Sequence, residues 1–211
     1  MELTITLVVG FIAGLLMFFG DMLLYYDKND YVSDGTFNPV IEIMKKVSEK
    51  RLYAGGLIGP IAAFLYCIGY YHIILISNNE ISVLAMIAFL SSCMGIIIGG
   101  AYHSHCAYLG LIGKLDDKKA MNTVIRYFSF INKCSFLFQI IGLLILLICI
   151  ICGWTMLPNG FAVITPGILY LLLPLIKKLP KGIHIIVCGG WSNLIFVIYY
   201  LVLLIYSLIG L

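Results

Sequence analysis

Apolar residues fall in long runs separated by short polar stretches, and the pattern predicts helices over 3–26, 52–76, 81–110, 131–153, 160–177 and 184–210. Each run approaches the about 20 apolar residues that one bilayer crossing requires. The expected architecture is all-α: a polytopic membrane bundle of six transmembrane helices, forming a single domain over 1–211. The first run has no basic leader and no small-residue cleavage site, so it is expected to stay as an anchor. The run 160–177 is the least regular, because Pro166-Gly167 and Pro174 interrupt it; a kinked span and a re-entrant loop both fit. Between the first two runs, Asn38-Pro39 supplies a cap and first turn. After it, Val40, Ile43, Met44 and Val47 recur at helical spacing opposite Lys45, Lys46 and Lys50. This predicts a short amphipathic helix on the membrane surface, in the first cytoplasmic loop.

Composition leaves no room for a separate soluble domain. Of 211 residues, 62% are hydrophobic and 11% charged, against about 25% charged in ordinary soluble domains, and the mean hydropathy is +1.07. No internal repeat or nucleic-acid-binding pattern is present; the expected partner is the lipid bilayer, with no nucleic acid. The basic residues then orient the chain. Lys28, Lys45, Lys46, Lys50 and Arg51 surround the first loop, Lys114, Lys118, Lys119, Arg126 and Lys133 the third, and Lys177, Lys178 and Lys181 the fifth. The positive-inside rule places these loops in the cytoplasm and both termini outside, which requires 160–177 to cross. The net charge of +3 reads as an orientation signal and a contact with anionic headgroups.

The seven cysteines lie in or beside apolar runs and read as packing residues, not a disulfide framework. Cys149-Ile150-Ile151-Cys152 matches the C-x-x-C spacing of membrane thiol oxidoreductases. Neither outer loop holds the second pair that such chemistry needs, so the match carries little weight.

Candidate chemistry centres on Gly99-Gly100-Ala101-Tyr102-His103-Ser104-His105, where the third run delivers two histidines near the membrane surface. Small residues mark the packing faces of membrane helices. Gly10, Gly14, Met17 and Asp21 form one stripe; Arg51, Gly55, Gly59 and Ala63 a second; Gly95, Gly99 and His103 a third; Gly189, Gly190 and Asn193 a fourth. Asp21, Arg51, His103 and Asn193 are therefore expected to point into the bundle at one level. His105 lies about 200° round the helix from His103 and ranks below it.

Asp21 is the one carboxylate inside an apolar run, where a charge costs about 2.5–3.5 kcal/mol on insertion scales, so it needs a partner or a proton. An ion pair with Arg51 would serve structurally; Arg51 alone would be an anchor that snorkels. The functional alternative makes Asp21 and His103 an acid–base pair, with Arg51 holding an anionic headgroup and Asn193 orienting the substrate. Tyr53 and Tyr102 are candidate pocket-lining residues among belt tyrosines that include Tyr25, Tyr26 and Tyr108, and with Arg51, Asn193, His105 and Trp191 they make up the expected ligand-binding set. Trp191 reads first as an interfacial ring, Asn193 as an interhelical hydrogen bond, and His72 and His184 as interfacial. His-x-His has no third ligand at suitable spacing, so no metal site is assigned. A bis-histidine haem is disfavoured because His72 and His103 fall at opposite ends of the bundle, and the cofactor stays undefined.

Gly20-Asp21-Met22-Leu23-Leu24-Tyr25-Tyr26, Arg51-Leu52-Tyr53-Ala54-Gly55-Gly56-Leu57-Ile58-Gly59-Pro60, Gly99 to His105, and Gly189-Gly190-Trp191-Ser192-Asn193 resemble the recurring motifs of a family of uncharacterised bacterial six-helix integral membrane proteins. The resemblance spans nearly the whole chain. It implies the architecture and a bacterial inner membrane, and no activity. Three function classes remain: a membrane-embedded enzyme acting on an amphiphile from the cytoplasmic leaflet, a non-catalytic lipid- or partner-binding protein, and a small proton-coupled transporter titrating at Asp21. Transport fits least, since such sites favour the midplane and inverted repeats. All three share a polar ligand site at the cytoplasmic leaflet, for an amphiphilic or anionic small molecule.

Overall fold

A computed structural model describes residues 2–27, 38–180 and 183–210. The elements are all helical: α1 (Leu3–Tyr25), α2 (Asn38–Lys46), α3 (Glu49–Tyr70), α4 (His72–Ile76), α5 (Ser82–Lys114), α6 (Lys118–Ile151), α7 (Pro166–Tyr170), α8 (Leu173–Ile176) and α9 (His184–Ile209), with short 3-10 turns at Asn79–Ile81 and Asn159–Ile164. Among the described residues, five segments are long and apolar enough to cross a membrane: Leu3–Tyr25, Glu49–Ile76, Asn79–Lys114, Lys118–Ile151 and His184–Ile209. The fold is compatible with a helical membrane bundle.

Small residues set which helices meet. A Cβ on Gly69 would stand 2.6 Å from the Gly10 Cα, and one on Gly59 would stand 2.5 Å from the His103 Cβ and 2.9 Å from the Gly100 oxygen. Only hydrogen fits at these crossings, so backbones of α1, α3 and α5 approach closely. The contacting pairs also fix direction. Gly10 meets Gly69 while Gly20 meets Ile58, so α1 and α3 are antiparallel; Gly56 meets Ala107 while Ala63 meets Gly100, so α3 and α5 are antiparallel. Gly95 against Gln139 and Gly99 against Ser135 make α5 and α6 antiparallel, and Gly14 against Val197 and Gly189 against Tyr25 do the same for α1 and α9. It follows that α6 and α9 run in the same direction. The connection over 152–183 must return the length of the bundle.

That connection is the sixth predicted run, and it is not a continuous helix. Pro166 is the first residue of α7 and Pro174 the second of α8, each in the first turn where a missing N–H costs nothing. The result is a broken segment against α6 and α9. At the far end of the bundle, backbone bonds tie the end of α4 to the end of α6: Asn78 N–H to Trp154 O at 3.0 Å and Met156 N–H to Ile76 O at 2.8 Å.

The fourth run starts well before residue 131, because α6 begins at Lys118, where the Asp117 carboxylate caps the Lys119 and Ala120 amides. With 33 and 34 residues, α5 and α6 are each about 50 Å long, well beyond the about 30 Å of hydrocarbon. His103 sits about 16 Å short of the α5 terminus at residue 114 and is buried inside the bundle.

The amphipathic helix exists as α2, but its apolar face is covered by protein. Ile41, Ile43 and Met44 are buried, Met44 and Lys45 fit over Gly110 and Gly113 of α5, and the Lys114 ammonium donates to the Lys45 and Val47 carbonyls at 2.8 and 2.7 Å. Two glycines at the end of α5 make room for it, so packing replaces the membrane surface. The preceding loop, with Lys28, Asp30, Asp34 and Gly35, lies outside the described residues, as does Lys181.

Candidate functional site

The site forms where α1, α5 and α9 meet. Asp21 is 6% exposed and His103 4%. His103 Nε2 and Asp21 Oδ1 are 3.1 Å apart, and the Asn193 amide Nδ2 donates to Asp21 Oδ2 at 2.6 Å. Each oxygen of the buried carboxylate thus has a partner on a different helix, which is what a carboxyl group removed from water requires. Gly20 and Gly59 flank the imidazole and leave it space. His103 Nδ1 is buried with no hydrogen-bond partner among the described residues. The same end of α1 is tied to α9 by Tyr25, whose hydroxyl donates to the Gly189 carbonyl at 2.5 Å.

Asp21, His103 and Asn193 line one end of a cavity of about 370 Å³, within the range of small-molecule sites. Its walls come from α1, α5, α6, α7 and α9. It exists because α6 packs along α5 and α9 along α1, while the broken segment between them offers only the short α7 as a bridge. Away from Asp21 the lining is apolar: Leu143, Leu144 and Leu147 of α6 face Pro166, Gly167 and Ile168. Along α6 the lining runs from Asn132 to Leu147, about 22 Å at helical rise. Phe136, Ile140 and Leu144 form an exposed apolar edge on one side. A long apolar channel with one polar end suits an amphiphile.

The other sequence-predicted residues divide. Tyr102 lines the cavity and stacks on Phe128, ring centroids 4.2 Å apart. Arg51 does not pair with Asp21. Its guanidinium donates to the carbonyls of Met22 at 2.8 Å, Tyr26 at 2.6 Å and Leu23, satisfying the C-terminal carbonyls of α1, where a cation also meets the negative end of the helix dipole. Tyr53 is exposed and donates to Glu49 Oε2 at 3.2 Å, remote from the cavity lining. His105 points away from His103, as its helical phase requires, pairing with the Ala101 carbonyl at 2.7 Å and packing on Tyr108 and Tyr127.

Trp191 and His72 are not interfacial. Gly189 and Gly190 let α9 close on Tyr25 and Phe18 of α1, which carries Trp191 into the core at 7% exposure. His72 is fully buried, its Nδ1 paired with the Gly69 carbonyl at 2.8 Å and Nε2 with the Tyr199 hydroxyl at 2.9 Å. His184 is the first residue of α9. Cys149 is buried and Cys152 exposed, and every cysteine is a free thiol. Among the described residues, no group of three His, Cys, Asp or Glu side chains is placed to hold a metal ion.

The chain belongs to a family of unknown function, DUF6796, which matches it over residues 2–209. No curated protein and no solved structure matches it. The family covers both the Asp21 stripe of α1 and the Asn193 stripe of α9, and therefore every helix that lines the cavity.

Sequence reasoning missed the α6 wall. Asn132, Ser135 and Gln139 line the cavity at spacings of three and four, a polar stripe on an otherwise apolar helix. Ser135 donates to the Gly95 carbonyl at 2.8 Å; Gln139 donates to the Ser92 carbonyl at 3.2 Å and accepts from the Tyr70 hydroxyl at 3.2 Å. Starting the fourth run at 131 hid this stripe, because Asn132 then falls at a frayed end. Three polar residues in helical register were the available signal.

Proposed function

We propose that this protein is a multi-pass protein of the bacterial cytoplasmic membrane that binds an amphiphile from the cytoplasmic leaflet, polar end at Asp21, His103 and Asn193, chain along α6 and α7. Six crossings with both termini outside are part of the reading. The parallel course of α6 and α9 supports the sixth crossing, since 152–183 must return to the opposite face. Given that course, Arg51, Lys114, Lys118, Lys177 and Lys178 all fall at one end of the bundle, as the positive-inside rule expects of a cytoplasmic face.

The observation that carries the proposal is a buried carboxylate with two partners facing the polar end of an otherwise apolar cavity. A purely structural polar plug would need the partners but not the 370 Å³ beside them. An acid–base enzyme is the second reading, favoured by Asp21 holding one nitrogen of His103, as a carboxylate orients a catalytic imidazole. Binding ranks first because the other nitrogen, Nδ1, is buried away from the cavity, so proton transfer to a ligand requires the ring to turn.

Native mass spectrometry with lipid extraction tests the proposal, comparing wild type with Leu147→Trp, which fills the apolar end far from the polar cluster. Wild type is expected to retain a defined amphiphile that Leu147→Trp loses at matched thermal stability. Identical bulk lipids in both would overturn it.

A further inference from the structure

The polar end of the cavity also limits what kind of headgroup it accepts. Among the described residues that line it there is one carboxylate, Asp21, and no Lys or Arg. The cation nearest in sequence logic, Arg51, is committed to the Met22, Leu23 and Tyr26 carbonyls. The fixed hydrogen bonds then orient what remains. Asn193 uses Nδ2 on Asp21, which leaves its Oδ1 as an acceptor. Ser135 spends its one proton on the Gly95 carbonyl and offers only lone pairs. Gln139 is used at both ends, by the Ser92 carbonyl and the Tyr70 hydroxyl. A carboxylate has about four acceptor sites, of which His103 and Asn193 occupy two. Donors remain as well, on the Asn132, Gln139 and Asn193 amides, so the charge of the lining decides: the Asp21 carboxylate keeps free acceptor sites and no lysine or arginine stands beside it among the described residues.

Resting on the amphiphile reading above, we propose that the site selects an amphiphile whose polar end donates hydrogen bonds and carries no negative charge: a hydroxylated or ammonium headgroup. A phosphate or carboxylate head would be pressed against Asp21 with no lysine or arginine of the lining to meet it. Leaving such a charge buried and unpaired is the costly case. A donor-bearing head completes the free lone pairs of Asp21 instead.

The test uses the full chain in nanodiscs and four probes matched in an 18-carbon chain: 1-monooleoylglycerol, oleylamine, oleate and oleoyl lysophosphatidic acid. Affinities are measured for wild type, Asp21→Asn, Asn132→Lys and Leu147→Trp. In wild type the glyceride or the amine is expected to bind at least about tenfold more tightly than either anion, a difference of about 1.4 kcal/mol. A preference for the amine that collapses in Asp21→Asn identifies an ammonium head; a glyceride preference that survives it identifies a hydroxylated one. Asn132→Lys puts a cation into the lining without touching the Asp21 cluster, and is expected to raise affinity for the phosphate probe. Wild-type binding of an anion as tight as the glyceride and the amine, abolished by Leu147→Trp, overturns the headgroup inference while the cavity reading stands. Binding of all four probes unchanged in Leu147→Trp overturns the cavity reading itself.

Discussion

His72 and His103 lie in the two halves of one bundle, both almost fully buried, and their surroundings differ in a way that separates structure from site. Both nitrogens of His72 are paired, and Tyr66, Tyr70, Tyr199 and Tyr200 fill the space around it. His103 has one nitrogen on Asp21 and the other unpaired, and it borders open volume. A buried imidazole with a complete partner set and no cavity is a packing element. One whose carboxylate partner borders a cavity has open volume beside a polar group, and that is what a ligand can use.

The contrast can be broken or sharpened by substitution. The largest effect is expected from Gly59→Leu, whose side chain collides with His103 and the Gly100 carbonyl. Overpacking costs about 1–3 kcal/mol or more where nothing can yield, so folded protein should be lost in size-exclusion chromatography. Next comes His72→Phe, which leaves the Gly69 carbonyl and Tyr199 hydroxyl unpaired, a loss of about 1–2 kcal/mol. It should lower the melting temperature with no change in retained lipid. Were lipid retention to fall as well, the two halves would not be separable. Arg51→Ala removes the α1 cap and is expected to destabilise by about 1 kcal/mol, since water reaches those carbonyls, again with lipid retention intact. Asp21→Asn should show the reverse: a stability change below about 1 kcal/mol, because the amide keeps one acceptor for Asn193, but altered ligand affinity in native mass spectrometry. The smallest effect belongs to Tyr53→Phe, within about 0.5 kcal/mol and silent in both assays, because its hydroxyl bonds only to exposed Glu49.

Helical phase decides which face of a helix a residue occupies, and nothing about how closely two helices approach. The stripe Gly10, Gly14, Met17, Asp21 is buried as a unit, and His103 is buried where His105 is not, because both depend only on rotation about one helix axis. Arg51 shares its stripe with Gly55 and Gly59, yet its long side chain reaches past that face to the end of α1. Phase places a Cβ, not the tip of an arginine. Trp191 and His72 carried the composition of interface residues, but their depth was set by how closely neighbouring helices approach. Asn132, Ser135 and Gln139 were legible as a stripe only once α6 was known to start at Lys118.

By itself the sequence determined that this chain is helical with long apolar segments, and which residues share a face, because hydropathy and a period of 3.6 residues are local properties. The tertiary structure alone decided that Asp21, His103 and Asn193 touch, that Arg51 is spent on α1, and that a cavity opens between α6 and α9. Those outcomes depend on the distance between helices far apart in the chain, and on a proline-broken segment too short to fill the gap that their packing leaves.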